Sequence, residues 1–329
     1  MNWTGVLPAM TTPFTEDMQV DHDFLARHAA WQLANGCSGL VMLGSLGEGA
    51  TLEHAEKLAI LKTAVAAAAG KPVVAAISAL STDTAVRIAK EAEQLGCSAL
   101  MVLPPYVYTS DWREMQAHVA AIIAATPLSC MLYNNPVAYK TDFLPAQIAE
   151  LAEAHPNLHA VKESSADVRR IAAIREILDD RLQICVGVDD VLVEGVQAGA
   201  VGWVAGLVNA YPAESVRLFE LARTASPETF DLYRWFLPLL RMDTVPKFVQ
   251  LIKWVQEQAG VGSARVRAPR LELHGPELLE AQAIYAKALA TRPEVPQTPL
   301  ALTPTLEPPQ KNYQLIVHSF PSQALKLRK

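Results

Sequence analysis

The sequence predicts an α/β protein, a (β/α)8 TIM barrel carrying a C-terminal helical appendage. Three observations predict it. Eight short apolar, β-rich runs recur along the first two-thirds of the chain. They are apolar on both faces, as strands of a parallel sheet covered by helices should be. Amphipathic Ala/Leu/Glu-rich segments alternate with them, and past the eighth run helices follow one another with no strand between.

The runs are Gly5–Met10, Gly39–Leu43, Pro72–Ile77, Ala99–Leu103, Leu128–Tyr133, Leu158–Lys162, Gln183–Val186 and Val201–Ala205. The helical segments between them are Asp21–Ala34, Glu53–Ala69, Ser81–Leu95, Asp111–Ala125, Leu144–His155, Asp167–Leu178 and Asp190–Ala198. Asp21, Thr51, Ser81, Asp111, Asp167 and Asp189 stand where N-caps belong, and Gly36, Gly70, Gly96 and Gly199 stand where helices close. An open doubly wound sheet is the competing architecture. No GxGxxG opens a helix after a strand, which argues against its dinucleotide-binding form. Tyr211–Thr224 reads as the last barrel helix, and Pro227–Leu240, Val245–Ala259 and Pro276–Leu289 as the appendage. The expected boundaries are therefore 1–224 for the barrel, 225–291 for a helical region packed on it, and 292–329 for a proline-rich tail, extended and unpacked.

Composition narrows the function classes. The chain is 51% hydrophobic and 19% charged, with a net charge of -6, so it has no electrostatic footprint for nucleic acid. Its four cysteines, Cys37, Cys97, Cys130 and Cys185, form no CxxC pair and sit in or beside apolar runs. They read as buried thiols of a reducing cytoplasm and not as a disulfide framework or zinc site. The N-terminus lacks the basic and apolar regions of a signal peptide, and no apolar run approaches the ~20 residues that span a bilayer. The eight histidines show no HExxH or paired spacing. No metal and no cofactor is expected, and His159, mid-strand, reads as a packed core histidine.

The stretch LHAVKESS, residues 158–165, concentrates the chemistry. An apolar run delivers Lys162 at its end, with hydroxyls and a carboxylate directly after. An ammonium held away from water disfavours its charged form. A lysine desolvated in this way is a nucleophile that forms a Schiff base with a carbonyl. The other reading is a strand-end lysine whose stem lies on apolar surface while its head reaches water. These residues alone leave both open. In a barrel the active site lies at the C-terminal ends of the strands. There the sequence places GSLGE (44–48), PPYVY (104–108), YNNP (133–136), KESS (162–165), GVDD (187–190) and GLVN (206–209). Tyr133 and Lys162 then become next-door neighbours on one rim. Asp189 and Asp190 touch substrate hydroxyls or cap a helix, and Trp203 packs in the core.

Three of these stretches together, GxxGE at Gly44–Glu48, YNxP at Tyr133–Pro136 and K-[DE]-[ST]-[ST] at Lys162–Ser165, resemble the dihydrodipicolinate synthase and N-acetylneuraminate lyase family of Schiff-base aldolases. The likeness covers roughly residues 3 to 290. It implies Lys162 as nucleophile toward a small 2-oxo acid or cyclic imine carboxylate, and Tyr133 as proton shuttle. It implies a substrate-contacting set of Ser45, Leu46, Gly47, Tyr106, Ser164, Gly187 and Val204, with the Ser45–Leu46 amides cradling the carboxylate and the Ser45 hydroxyl linked to the tyrosine. Glu48 reads as structural, bonding the backbone of its own loop. Asn134 and Pro136 shape the turn, and Ser164 and Ser165 line the pocket or cap the next helix. A homotetramer built as a dimer of dimers is also implied.

Departures from the family pattern bear on the substrate. Family synthases carry an arginine two residues after the YNxP proline, where this chain has Ala138. They carry a second tyrosine after the fourth strand, where this chain has Val107. Leu46 replaces a hydroxyl residue, leaving the pocket floor more apolar, with Tyr106, Tyr108 or Tyr139 available to compensate. The pattern resembles a catabolic branch that includes deaminases of 1-pyrroline-4-hydroxy-2-carboxylate in hydroxyproline breakdown, which yield 2,5-dioxopentanoate and ammonia. That deaminase is the expected activity. The alternatives, in order, are a 2-keto-3-deoxy sugar acid dehydratase or retro-aldolase releasing pyruvate, dihydrodipicolinate synthase, and a non-catalytic barrel that binds a small acid.

Overall fold

The computed structural model of this protein describes residues 1–106 and 108–300. Val107 and residues 301–329, including the rest of the expected tail, lie outside the described residues. Eight parallel strands form the sheet: β1 (Gly5–Pro8), β2 (Leu40–Met42), β3 (Val73–Ile77), β4 (Ala99–Val102), β5 (Ser129–Asn134), β6 (Leu158–Glu163), β7 (Gln183–Val186) and β8 (Gly202–Ala205). Their order is β1-β8-β7-β6-β5-β4-β3-β2, and a parallel bridge between Ala9 and Val41 joins the two ends. The architecture is a TIM barrel, as the alternation predicted.

Around it run α1 (His22–Ala34), α2 (His54–Ala67), α3 (Thr82–Gln94), α4 (Trp112–Ala124), the single turn α5 (Pro136–Tyr139), α6 (Pro145–Ala154), α7 (Arg169–Leu178), α8 (Leu192–Gln197) and α9 (Pro212–Arg223). Helix α3 shows why these segments are helical. Ala85, Ile88, Ala89 and Ala92 fall on one face at helical spacing and are buried against the sheet. Ser81 caps its start by accepting from the Thr84 N–H at 3.3 Å, and Gly96 follows its end at φ +88°, a region that costs a side-chain-bearing residue more than glycine. Burying Ile88 contributes about 1.5–3 kcal/mol.

Alternate strand residues divide between two cores. Leu7, Val41, Val74, Met101, Met131, Ala160, Cys185 and Val204 fill the barrel interior, and the others pack against the helices. Trp3 plugs the N-terminal end, its indole donating to Ser129 Oγ at 3.0 Å. The motifs lie at the opposite end of the barrel.

Some local expectations fail. Thr51 does not cap α2; the Glu56 carboxylate accepts the Glu53 N–H there, while the Thr51 hydroxyl turns back to Glu48 O. His159 is exposed and pairs with Ser129 Oγ at 2.8 Å, because strand alternation puts it at the barrel's foot and not in the core. All four cysteines are buried and unpaired.

Past α9 come α10 (Thr229–Leu240), α11 (Phe248–Gln258) and α12 (Gly275–Ala290). The Trp235 indole donates to Ala288 O at 2.9 Å, joining α10 to α12. The following segment is extended but, over 292–298, it is not unpacked. Arg292 pairs with the buried Glu214 at 2.7 Å, and Thr298 O accepts from the Trp31 indole at 2.6 Å. Composition could not show that two buried groups of the barrel wall seek partners there. Among the described residues no helix is long and apolar enough to cross a membrane.

Candidate active site

Lys162 is the penultimate residue of β6, flanked by Tyr133 of β5 on one side and Cys185 of β7 on the other. Its side chain points into the barrel and is only 6% exposed, with Nζ 4.3 Å from the centre of the Tyr133 ring. Among the described residues no charged partner lies within ion-pair distance of its amine. Burial therefore pulls its amine down from 10.5 to about 8, a fall only partly offset by the carboxylates of Asp243 and Asp189.

Space for this side chain comes from the neighbouring strand. A Cβ at Gly187 would lie 1.9 Å from Ser164 Oγ and 2.6 Å from Lys162 Cε. Glycine is thus required at 187, and Gly187, Ser164 and Lys162 form one contact group. Ser164 and Ser165 part company here. Ser165 Oγ accepts the Asp167 N–H at 3.2 Å and serves the turn, whereas Ser164 Oγ is buried beside the lysine, where it acts on the Tyr133 phenol.

Tyr133 is buried and its phenol is pushed up to about 12, chiefly by desolvation, against the pull of the Asn135 hydrogen bond first and of the Ser164 hydroxyl after it. Asn135 does two things. Its Oδ1 accepts the Ala138 N–H and caps α5, while its Nδ2 donates to Tyr133 Oη at 2.9 Å. Asn134 pins the strand end, Oδ1 accepting the Phe143 N–H at 3.0 Å and Nδ2 donating to Glu163 at 3.1 Å.

The single turn of α5 brings Tyr139 back over the mouth. Its ring meets Tyr133 edge-on at 5.8 Å and Tyr106 at 5.6 Å, and its hydroxyl is hydrogen-bonded to Ser45 Oγ. Ser45 was expected to bond the tyrosine at 133. It instead bonds Tyr139, so the link from Ser45 to Tyr133 runs through aromatic contact. Tyr139 takes the compensating position, while Tyr108 is exposed at the surface.

The loop after β2 presents the Ser45 and Leu46 amides, neither of which donates to a protein acceptor among the described residues. The Leu46 side chain belongs to the outer core and does not floor the pocket. Gly47 abuts the chain at Met10, where a Cβ would lie 2.7 Å from the carbonyl oxygen. Glu48 has a left-handed backbone, φ 55°, unusual for a glutamate. Its side chain does not bond its own loop. Its carboxylate accepts from Lys253 Nζ at 2.8 Å and from the Arg267 N–H at 2.9 Å, tying the rim to the C-terminal region through a fully buried ion pair.

Val204 faces the interior of β8, beside Gly187 if the β7–β8 register is continued from Val186 and Trp203. The Asp189 side chain does not cap α8 but turns to β8 and the loop after it. It is fully buried and accepts from the Trp203 indole at 2.9 Å, the Gly206 N–H at 3.1 Å and the Leu207 N–H at 2.8 Å. Burial pushes its carboxyl up to about 6, against the pull of those donors. It thereby fixes the loop after β8, and Trp203 is a core residue as expected.

The constellation of a desolvated interior lysine, an adjacent phenol and free amides opposite can be compared with known proteins. The model of the dihydrodipicolinate synthetase family matches residues 2–288. The chain belongs to that family. A 4-hydroxy-tetrahydrodipicolinate synthase of Xanthomonas campestris is 33% identical over 305 residues, covering 89% of this chain and 98% of the relative. The solved 4-hydroxy-tetrahydrodipicolinate synthase of Methylacidiphilum fumariolicum superposes with a TM-score of 0.84 at 25% identity, over 88% of this chain and 97% of that one. A dihydrodipicolinate synthase from Acinetobacter baumannii, solved with pyruvate, superposes with a TM-score of 0.82 at 25% identity, over 87% and 99%. Members of the family are lyases, and this chain has their barrel and their helical C-terminal part.

Sequence reasoning missed Tyr139 as a central member of the site, Asn135 as the partner of the phenol, and Asp243. The first two had a local signal, an amide and an aromatic bracketing the YNxP turn. Asp243 lies 81 positions beyond Lys162 and had none.

Proposed function

We propose that this member of the family is a Schiff-base-forming lyase acting on a small 2-oxo acid or cyclic imine carboxylate. One observation carries the reading: Lys162, buried beside Tyr133 and held near pH 8 by desolvation. The neutral amine adds to the C2 carbonyl and, with loss of water, gives an iminium that draws electrons from C3. Tyr133 carries the C3 proton, and the Ser45 and Leu46 amides hold the carboxylate.

Two substrate readings follow. The relatives' names and the pyruvate-bound neighbour favour condensation of pyruvate with an aldehyde, as in 4-hydroxy-tetrahydrodipicolinate synthase. That reverses the order the sequence motifs alone gave. Ala138, two residues after Pro136 and offering no cation, favours the other: elimination of a C4 hydroxyl, as in deamination of 1-pyrroline-4-hydroxy-2-carboxylate. The buried free thiols fit a reducing cytoplasm, and the family resemblance fits a homotetramer.

Borohydride reduction in the presence of pyruvate, followed by intact-mass analysis, tests the shared step. A mass increase lost in Lys162→Ala is expected; no adduct in the native protein overturns the reading. Ammonia release from the cyclic imine, set against pyruvate consumption with a carboxylate-bearing aldehyde, separates the two substrates.

A further inference from the structure

Tyr139 closes one side of the barrel mouth. It follows β5, and its hydroxyl is hydrogen-bonded to Ser45 Oγ, which follows β2. In the sheet order β3 and β4 stand between those two strands. The bridge from Tyr139 to Ser45 therefore runs as a chord over the C-terminal ends of β3 and β4. Tyr106, which follows β4, packs on the Tyr139 ring with 5.6 Å between centres.

Further contacts fix this chord. The Tyr139 ring meets Tyr133 at 5.8 Å, with the two planes at 85°, and packs on the apolar cluster that fills the barrel interior. Its short turn is held from both sides. Asn135 Oδ1 accepts the Ala138 N–H at 3.0 Å, and the Thr141 hydroxyl donates to Pro105 O at 3.4 Å. A ring set between two other rings, with its hydroxyl satisfied, keeps one orientation and acts as a wall.

Lys162 lies against the same Tyr133 ring, its Nζ 4.3 Å from the ring centre. An acid bonded to that amine, its carboxylate on the Ser45 and Leu46 amides, spans from β6 to the loop after β2. For Tyr133 to carry the C3 proton, C3 must face β5. Carbon beyond C3 then runs toward Tyr139. The barrel interior offers no other room, because Val74, Met101 and Met131 fill it to the density of a packed core.

We propose that Tyr139 is a specificity-determining residue, its ring, moored to Ser45, limiting the substrate beyond C3 to a short unbranched chain or a small ring. This rests on Lys162 being the nucleophile, and it deepens that reading by assigning the size class of the substrate.

The test compares pyruvate with 4-methyl-2-oxopentanoate, each trapped by borohydride over a range of concentrations and counted by intact mass. The native protein should reach half-maximal adduct at a pyruvate concentration about tenfold or more below that of the branched acid, since one surplus methylene against a pocket wall is worth about 10–200-fold. In Tyr139→Ala the ratio should collapse to within about threefold. Tyr139→Phe keeps the ring but loses the bond to Ser45, and its ratio should fall between the two. Two acids read in one variant separate a wall from a merely structural residue, which would move both half-points together. Equal half-points in the native protein would overturn the proposal. So would a native ratio that survives in Tyr139→Ala, or half-points for both acids that rise in parallel in the two variants. Should Tyr139→Ala not fold, Tyr139→Phe decides, and an unchanged ratio there overturns the proposal. A native protein that traps both acids alike leaves the Schiff-base reading standing, whereas one that traps neither ends both.

Discussion

Titrating the amine of Lys162 through its reaction is the most direct probe of the site. With its midpoint lowered from 10.5 to about 8, roughly a tenth of the amine is neutral at neutral pH, about 300-fold more than for an unperturbed lysine. The initial rate of borohydride-trapped adduct formation with pyruvate should therefore climb with pH and level off above about 8. The same desolvation has a stability cost. Because the folded midpoint lies below the unfolded one, the unfolded chain binds more protons between about 8 and 10.5, so this residue's contribution to stability rises with pH across that window. Below it the buried ammonium costs about 3 kcal/mol. Lys162→Met, similar in shape and uncharged, should be more stable than the native protein by up to that amount at neutral pH, the difference vanishing toward pH 10.5. Denaturant melts of both proteins at several pH values read this. An adduct rate still rising steeply beyond about pH 9.5, or a Lys162→Met variant less stable at neutral pH, would show that the amine is solvated and refute the argument.

Three further outcomes are expected. Tyr133→Phe should still form the adduct but slow turnover by roughly 10²–10⁴-fold, measured as steady-state kcat, since it removes an acid–base group without touching the nucleophile. Gly187→Ala should cut the adduct rate by about 100-fold or more, because its methyl would lie where Ser164 Oγ and Lys162 Cε now sit, and a misplaced nucleophile loses its geometry. Glu48→Gln should cost about 3–5 kcal/mol in chemical denaturation by stranding the Lys253 ammonium, and Glu48→Gln with Lys253→Met together should recover much of it.

Much of the site was legible because the chemistry follows strand ends. The run LHAVKESS reads as a strand that buries its lysine, and β5–β6 pairing makes Tyr133 and Lys162 neighbours once the barrel is granted. Gly187 was singled out without its reason, which is a contact between adjacent strands. The misreadings share a cause. Glu48 was assigned to its own loop, Ser45 to Tyr133, and Asp189 to a cap, because adjacency in sequence was the only proximity on view. Their partners are Lys253, Tyr139 and the Trp203–Leu207 turn.

What the sequence determined by itself is whatever local periodicity encodes: eight apolar strands, the helices between them, the glycine stops, and a lysine near the end of the sixth strand. Local physics suffices there, since apolar spacing dictates both the element and the face it buries. The tertiary structure alone decided which donors satisfy Asp189, Asp190 and Glu48. That depends on donors brought together from β8, from the turn after α10 and from α11, and no short-range rule connects residues so far apart along the chain.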